Sequence, residues 1–180
     1  KPSTSGESLE KFNAKLLRAL TDFWTSGKFS DFTIIVSGRK FQVHKTVLAA
    51  QSEFFAKTFS NSEVNSAIAQ LEDDDFSVEA VESVLNWMYT GQIPDSKIAA
   101  EVFAIAMKFE ISDLKPIAED LTVENVNEDN SMESFKLGHR HNSEKLKKSA
   151  FELIKKFLDD PDLDDEMIDE LGELEKLVEA

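Results

Sequence analysis

One short stretch, Asp31 to Val43, constrains this chain more than any other. Asp-Phe-Thr-Ile-Ile-Val-Ser (31–37) is dense in β-branched and aromatic residues, Ser37-Gly38-Arg39-Lys40 has the composition of a turn, and Phe41-Gln42-Val43 resumes the alternation. That pattern predicts a β-hairpin. Almost everywhere else the apolar residues recur at three- and four-residue intervals. The fold class that follows is α+β, a small sheet flanked by helices. With 180 residues, 41% of them hydrophobic, the chain is too apolar to stay disordered. A chain of this length buries roughly 70% of its unfolded surface, so neither disulfides nor a metal are needed for folding.

Residues 1–6 (Lys-Pro-Ser-Thr-Ser-Gly) read as a linker, with Thr4 and Glu7 spaced for a capping box on the next helix. From there Leu9, Phe12, Leu16, Leu20 and Phe23, flanked by Leu17 and Trp24, predict an amphipathic helix ending near Gly27. A leading helix this apolar must lie against something, either its own domain or a second chain. His44 to Phe59 carries Val47, Leu48, Phe54, Phe55 and Phe59 on helical spacing. Ser60 to Ser66 reads as a loop, Ala67 to Leu71 as a short strand, and Glu72 to Asp75 as its polar exit. Helices are predicted over Ser77–Thr90, Lys97–Phe109 and Ser112–Leu121, punctuated by Gly91, Pro94 and Ser112. Glu124 to Leu137 is polar with a weak apolar stripe, and Ser143 to Leu158 is a clearer helix. Met167, Leu171, Leu174 and Val178 predict a last one, which Gly172 weakens by about 1 kcal/mol.

The formal charge of −15 is unevenly placed. Residues 159–180 hold eleven acids against one base, Lys176, and so carry ten of the fifteen net negative charges. The body is mildly acidic, which disfavours nucleic acid as a partner. A basic cluster (His139, Arg140, His141, Lys145, Lys147, Lys148, Lys155, Lys156) is interrupted by Glu144 and Glu152, and suits the acidic tail or an acidic partner better. No apolar run approaches the ~20 residues of a membrane span, and no signal peptide opens the chain. The first residue is Lys1 and not Met, as expected of a piece of something longer.

Catalytic patterns are missing. Cysteine is absent and the six glycines are isolated, so thiol chemistry, Cys-based zinc sites and phosphate-cradling loops all drop out. No serine has the flanks of a nucleophile elbow. His44, at a strand-to-helix junction, reads as a structurally hydrogen-bonded histidine. His139 and His141, with Glu144 nearby, lack a third firm metal ligand. Asp160-x-Asp162-x-Asp164 resembles the start of a calcium loop, but Asp165 stands where the turn glycine belongs and Leu171 where the bidentate glutamate belongs. The expectation is a non-enzyme with no cofactor and no metal.

Phe29-Ser30-Asp31, then Phe41-Gln42-Val43-His44-Lys45 running into Val47-Leu48-Ala49-Ala50-Gln51-Ser52-Glu53-Phe54-Phe55, and finally Trp87-Met88-Tyr89-Thr90-Gly91 resemble the BTB/POZ family in order and spacing. The resemblance covers residues 7–121. It is strongest to the MATH-BTB group, the speckle-type POZ proteins among them, whose 3-box or BACK-like helical pair is matched by 122–158, opening on Thr122-Val123-Glu124-Asn125. Residues 159–180 lie beyond it, as an acidic helix or tail.

The resemblance implies a homodimer built on Leu16, Leu20, Phe23 and Val47, with Asp31 and Lys45 as a charged pair beneath the dimer groove. It also implies a nuclear or cytoplasmic substrate adaptor of cullin-3 ubiquitin ligases, the substrate being read by a domain absent from this chain. The cullin-3 N-terminal domain would meet Phe59, Phe109 and the loop at Glu63, Val64 and Asn65. That loop departs from the family, which carries an apolar residue, any residue and then Glu. A BTB oligomerisation scaffold, or a module recruiting transcriptional corepressors, is the competing reading.

Overall fold

The hairpin forms where the alternation places it. In this computed structural model, which describes residues 4–61, 68–70 and 76–158, strands β1 (Phe32–Val36) and β2 (Arg39–Val43) pair antiparallel with Phe32 opposite Val43 and Val36 opposite Arg39. The turn is Ser37-Gly38 alone, with φ of 46° and 78°. Two successive left-handed residues match the twist of the flanking strands, so Arg39 and Lys40, expected in the turn, belong to β2. A third strand, β3 (Ile68–Gln70), lies parallel to β1 on its other side, giving the order β2-β1-β3. A parallel neighbour needs a crossover, and helices α2 (Lys45–Gln51) and α3 (Glu53–Ser60) lie in it.

Phe32, Ile34 and Val36 point from β1 into a core shared with α4 (Val78–Thr90), whose buried residues include Val81, Val84, Leu85, Met88 and Tyr89. Ser77 starts α4 by accepting from the Ala80 N–H, and Gly91, left-handed at φ 69°, ends it. The helical spacing over 44–59 resolves into two helices because Ser52 turns extended (φ −139°, ψ 121°). Its hydroxyl accepts from the Phe55 N–H at 3.1 Å and donates to the Phe109 carbonyl at 2.5 Å. The break therefore fastens the crossover to the end of α5 (Ala99–Lys108), which a 3₁₀ turn (Ser96–Ile98) precedes.

Helix α6 (Leu114–Glu124) runs straight through the expected boundary at 121/122. Thr122 is buried and donates to the Ala118 carbonyl, so the residues expected to open the extension are the last turn of α6. The helical pair itself is α7 (Ser131–Arg140), after a 3₁₀ turn (Glu128–Asn130), and α8 (Glu144–Leu158). Gly138 sits where α7 meets α8: a Cβ there would stand 2.9 Å from the Lys147 nitrogen. Ser143 accepts from the Leu146 N–H and donates to Glu119 of α6 at 2.5 Å. With Leu146 inside the main core, these contacts join the extension to the domain.

The leading helix, α1 (Thr4–Ser26), starts earlier than expected, since Thr4 to Gly6 of the supposed linker are already helical. The predicted last helix over 165–178, the acidic tail and the calcium-like Asp160–Asp164 segment lie outside the described residues. For Ser52→Ala we expect a loss of about 2 kcal/mol, because a capped amide and a buried carbonyl lose their partner together. Urea unfolding checks it, and an unchanged midpoint would contradict the role given to Ser52.

Candidate protein-interaction interface

Helix α1 divides into two halves. From Gly6 to Arg18 every residue is exposed, and Leu9, Phe12, Leu16 and Leu17 each present roughly half or more of their surface to water. The second half lies on the body: Leu20 and Trp24 pack against the core, and the Trp24 indole stacks on Tyr89 at 5.3 Å and on Phe41 at 6.4 Å. Of the four residues singled out from the resemblance, Leu16 alone is open. Leu20 and Val47 are half-buried on their own core, and Phe23 lies against His44 at 5.7 Å and Phe29 at 5.8 Å. Leu9 and Phe12 are the more exposed members of the stripe. Periodicity named them as apolar positions, but could not say where the body of the domain stops beneath the helix.

His44 fixes that second half in place. Its backbone N–H donates to the Tyr89 hydroxyl at 2.8 Å, and its ring bridges Tyr89 and the Lys28 carbonyl, each at 2.8 Å. A carbonyl only accepts, so Nε2 carries the proton and Nδ1 accepts from the tyrosine O–H. This is the structural histidine expected from the sequence. Asp31 and Lys45 meet through the backbone: the Asp31 carboxylate accepts from the Lys45 N–H at 2.8 Å, capping the first turn of α2, where His44 supplies no side-chain cap. The Lys45 ammonium turns instead to the faces of Phe32 and Phe59, 5.7 and 5.4 Å from their centroids.

A second surface is an apolar cleft of about 290 Å³. Phe54, Thr58, Ala69, Lys108 and Phe109 line it, and core residues such as Ile34, Val84 and Met88 form its depth. Phe109 is buried, stacked on Phe55 and met edge-on by Phe54, each at 5.3 Å. Phe59, expected beside it, stands behind, packed on Phe32 at 5.0 Å and Phe55 at 5.6 Å. Phe54, part of the stretch that carries the resemblance but not among the contacts it implied, is the exposed ring at the rim. Nearby, Lys57 pairs with Glu110 at 2.8 Å and Glu53 at 3.6 Å, lowering the Glu110 carboxyl and raising the lysine from their ordinary values. Glu63, Val64 and Asn65 lie outside the described residues.

The sequence profile of the BTB/POZ domain matches residues 20–126, more than half of the chain and every element from the packed half of α1 to the end of α6. The chain belongs to the BTB/POZ family. Mouse (Mus musculus) TD and POZ domain-containing protein 3 is 28% identical over 138 residues, which is 75% of this chain and 38% of that relative. The chain thus spans well under half the length of the curated relative it matches. BTB/POZ domains are protein-interaction modules that generally self-associate, and they are not a catalytic family.

Beyond the two surfaces of this BTB/POZ protein, the remaining candidates have structural settings. His141 closes α7, its ring edge-on to Phe103 at 5.6 Å, and burial lowers its pKa. Among the described residues no three histidine, aspartate or glutamate side chains converge as a metal site, and no helix is long and apolar enough to cross a membrane. The basic cluster finds acids close by: Lys145 pairs with Asp120, Lys147 with Glu144 at 2.6 Å and Lys155 with Glu152 at 3.1 Å.

Burial pushes the Tyr89 hydroxyl up from its ordinary value of 10 to about 12. The folded state holds the proton that the unfolded state releases first, so this group's contribution to stability is present below pH 10 and falls away between pH 10 and about 12. Tyr89 is the sole tyrosine. Ultraviolet titration of the native protein is therefore expected to show one phenolate step near pH 12, moving to the ordinary range in denaturant. A native step near 10 would contradict the buried latch.

Proposed function

We propose that this chain is a homodimeric interaction module, the cullin-3-binding part of a ubiquitin-ligase substrate adaptor whose substrate is read by a separate domain. The observation that carries the self-association half is the exposed stretch of α1. A helical segment of this length is marginal in water by itself, and Leu9, Phe12 and Leu16 lie on one face of it with no cover from the other described residues. A second copy supplies that cover. The cullin half is supported by the Phe54–Phe109 cleft, an apolar concavity suited to a partner side chain, and by the α7–α8 pair joined to the core. The mouse relative, whose name pairs a TD domain with the POZ domain, has a modular make-up consistent with this reading. Such an adaptor performs no chemical step: it raises the local concentration of substrate near the ligase, twice over in a dimer, and would act in the nucleus, the cytoplasm or both.

The departure at Glu63, Val64 and Asn65 from the family's cullin-contacting pattern favours a second reading, a BTB oligomerisation scaffold or corepressor-recruiting module without ligase function. Titration of the purified chain with the cullin-3 N-terminal domain separates the two. The adaptor reading expects a complex that Phe54→Ala weakens about tenfold, whereas no complex at tens of micromolar would leave the scaffold. For self-association, light scattering is expected to give twice the 20.3 kDa chain mass. Replacing Phe12 and Leu16 with serine should return the single-chain value. A mass unchanged by the double substitution would place the contact elsewhere.

A further inference from the structure

Phe29 is the most exposed of the large apolar side chains described, at 80%, and its backbone sits at φ +64°. Glycine or asparagine takes that left-handed conformation readily, but for a bulky aromatic it is an outlier. Two unfavourable choices, an exposed ring and a strained backbone, thus fall on one residue. Within the protomer the ring gains an edge-on contact with Phe23 at 5.8 Å.

The chain around it is tied on both sides. The Gly27 N–H donates to the Phe23 carbonyl at 2.9 Å, and the Ser30 N–H to the Gly27 carbonyl at 3.3 Å. The Lys28 carbonyl accepts from His44, and the Asp31 N–H donates to the Val43 carbonyl at 3.2 Å. Strain of this kind persists where the surroundings over-determine it, and it gathers at functional positions. Here what the ties produce is a ring turned out into water.

The occupant follows from where the ring points. Phe23 stands at the end of the stripe that runs down α1 through Leu9, Phe12, Leu16 and Leu20, and Phe29 meets Phe23. We infer that Phe29 is an anchor of the contact between two copies of this chain, held in a strained backbone so that its ring extends the apolar face of α1 into the partner copy. This rests on the self-association reading above, and deepens it by naming a residue whose conformation works against its own protomer. In a two-fold contact each change acts twice.

Phe29→Gly and Phe29→Asn remove the ring and relieve the backbone together, and sedimentation across a dilution series with thermal melts of the dissociated chains tests the inference. The dimer dissociation constant is expected to rise about a hundredfold, the scale of losing a large aromatic anchor. The dissociated variants should melt at the temperature of wild type diluted to single chains, or above it, since left-handed φ favours the new residues. A wild type that dimerises while both variants dimerise equally well would overturn the inference and leave the self-association reading standing. Dissociated variants that melt well below equally dissociated wild type would also overturn it, by showing that the ring serves its own protomer. A wild type that stays single at every concentration would overturn both.

Discussion

The hydroxyl of Tyr89 is the point on which the interaction surface depends. It accepts from the His44 backbone, donates to the His44 ring, and lies under the Trp24 indole. Through these contacts α4, the start of α2 and the lower half of α1 are held as one body, while the far side of the histidine ring holds the Lys28 carbonyl. A hydroxyl buried this deeply needs both its donor and its acceptor capacity used, since an unmet buried polar group costs about 1–3 kcal/mol. Both are used here, and the upper half of α1 projects with its apolar face uncovered by the other described residues.

Much of this was legible in the residues. The β-branched run and Ser37-Gly38 determine the hairpin locally, and Ser77 and Gly91 bracket α4 by cap chemistry that acts within a single turn. The break at Ser52 has no local signature of comparable strength, because half of what stabilises it is a carbonyl 57 residues further along. The expected boundary at 121/122 falls inside α6 for a similar reason: Thr122 continues the helix and is buried there. The apolar period of α1 announced that the helix must be covered. Which half its own domain covers depends on how far the core extends, a property of the packed body.

The candidate site was legible in kind more than in detail. The resemblance puts Leu20 and Val47 on the dimer face; within the protomer both pack partly on their own core, and Leu9 and Phe12 stand free of it. Asp31 and Lys45 do meet, but the carboxylate serves a helix-start N–H and the ammonium finds aromatic faces. Phe109 lines the cleft, Phe59 supports it from behind, and Phe54 rims it. No sequence pattern reveals a positive φ at Phe29, since the left-handed turn is imposed by ties to β2 and to His44.

The central claim is that a second copy covers the upper half of α1. Hydrogen exchange at the amides of Leu9 to Leu17, followed over a concentration series, tests it most directly. Slow exchange in concentrated protein that becomes fast on dilution, while the amides of α4 stay protected throughout, is the predicted result. Exchange that is equally fast at every concentration would contradict it.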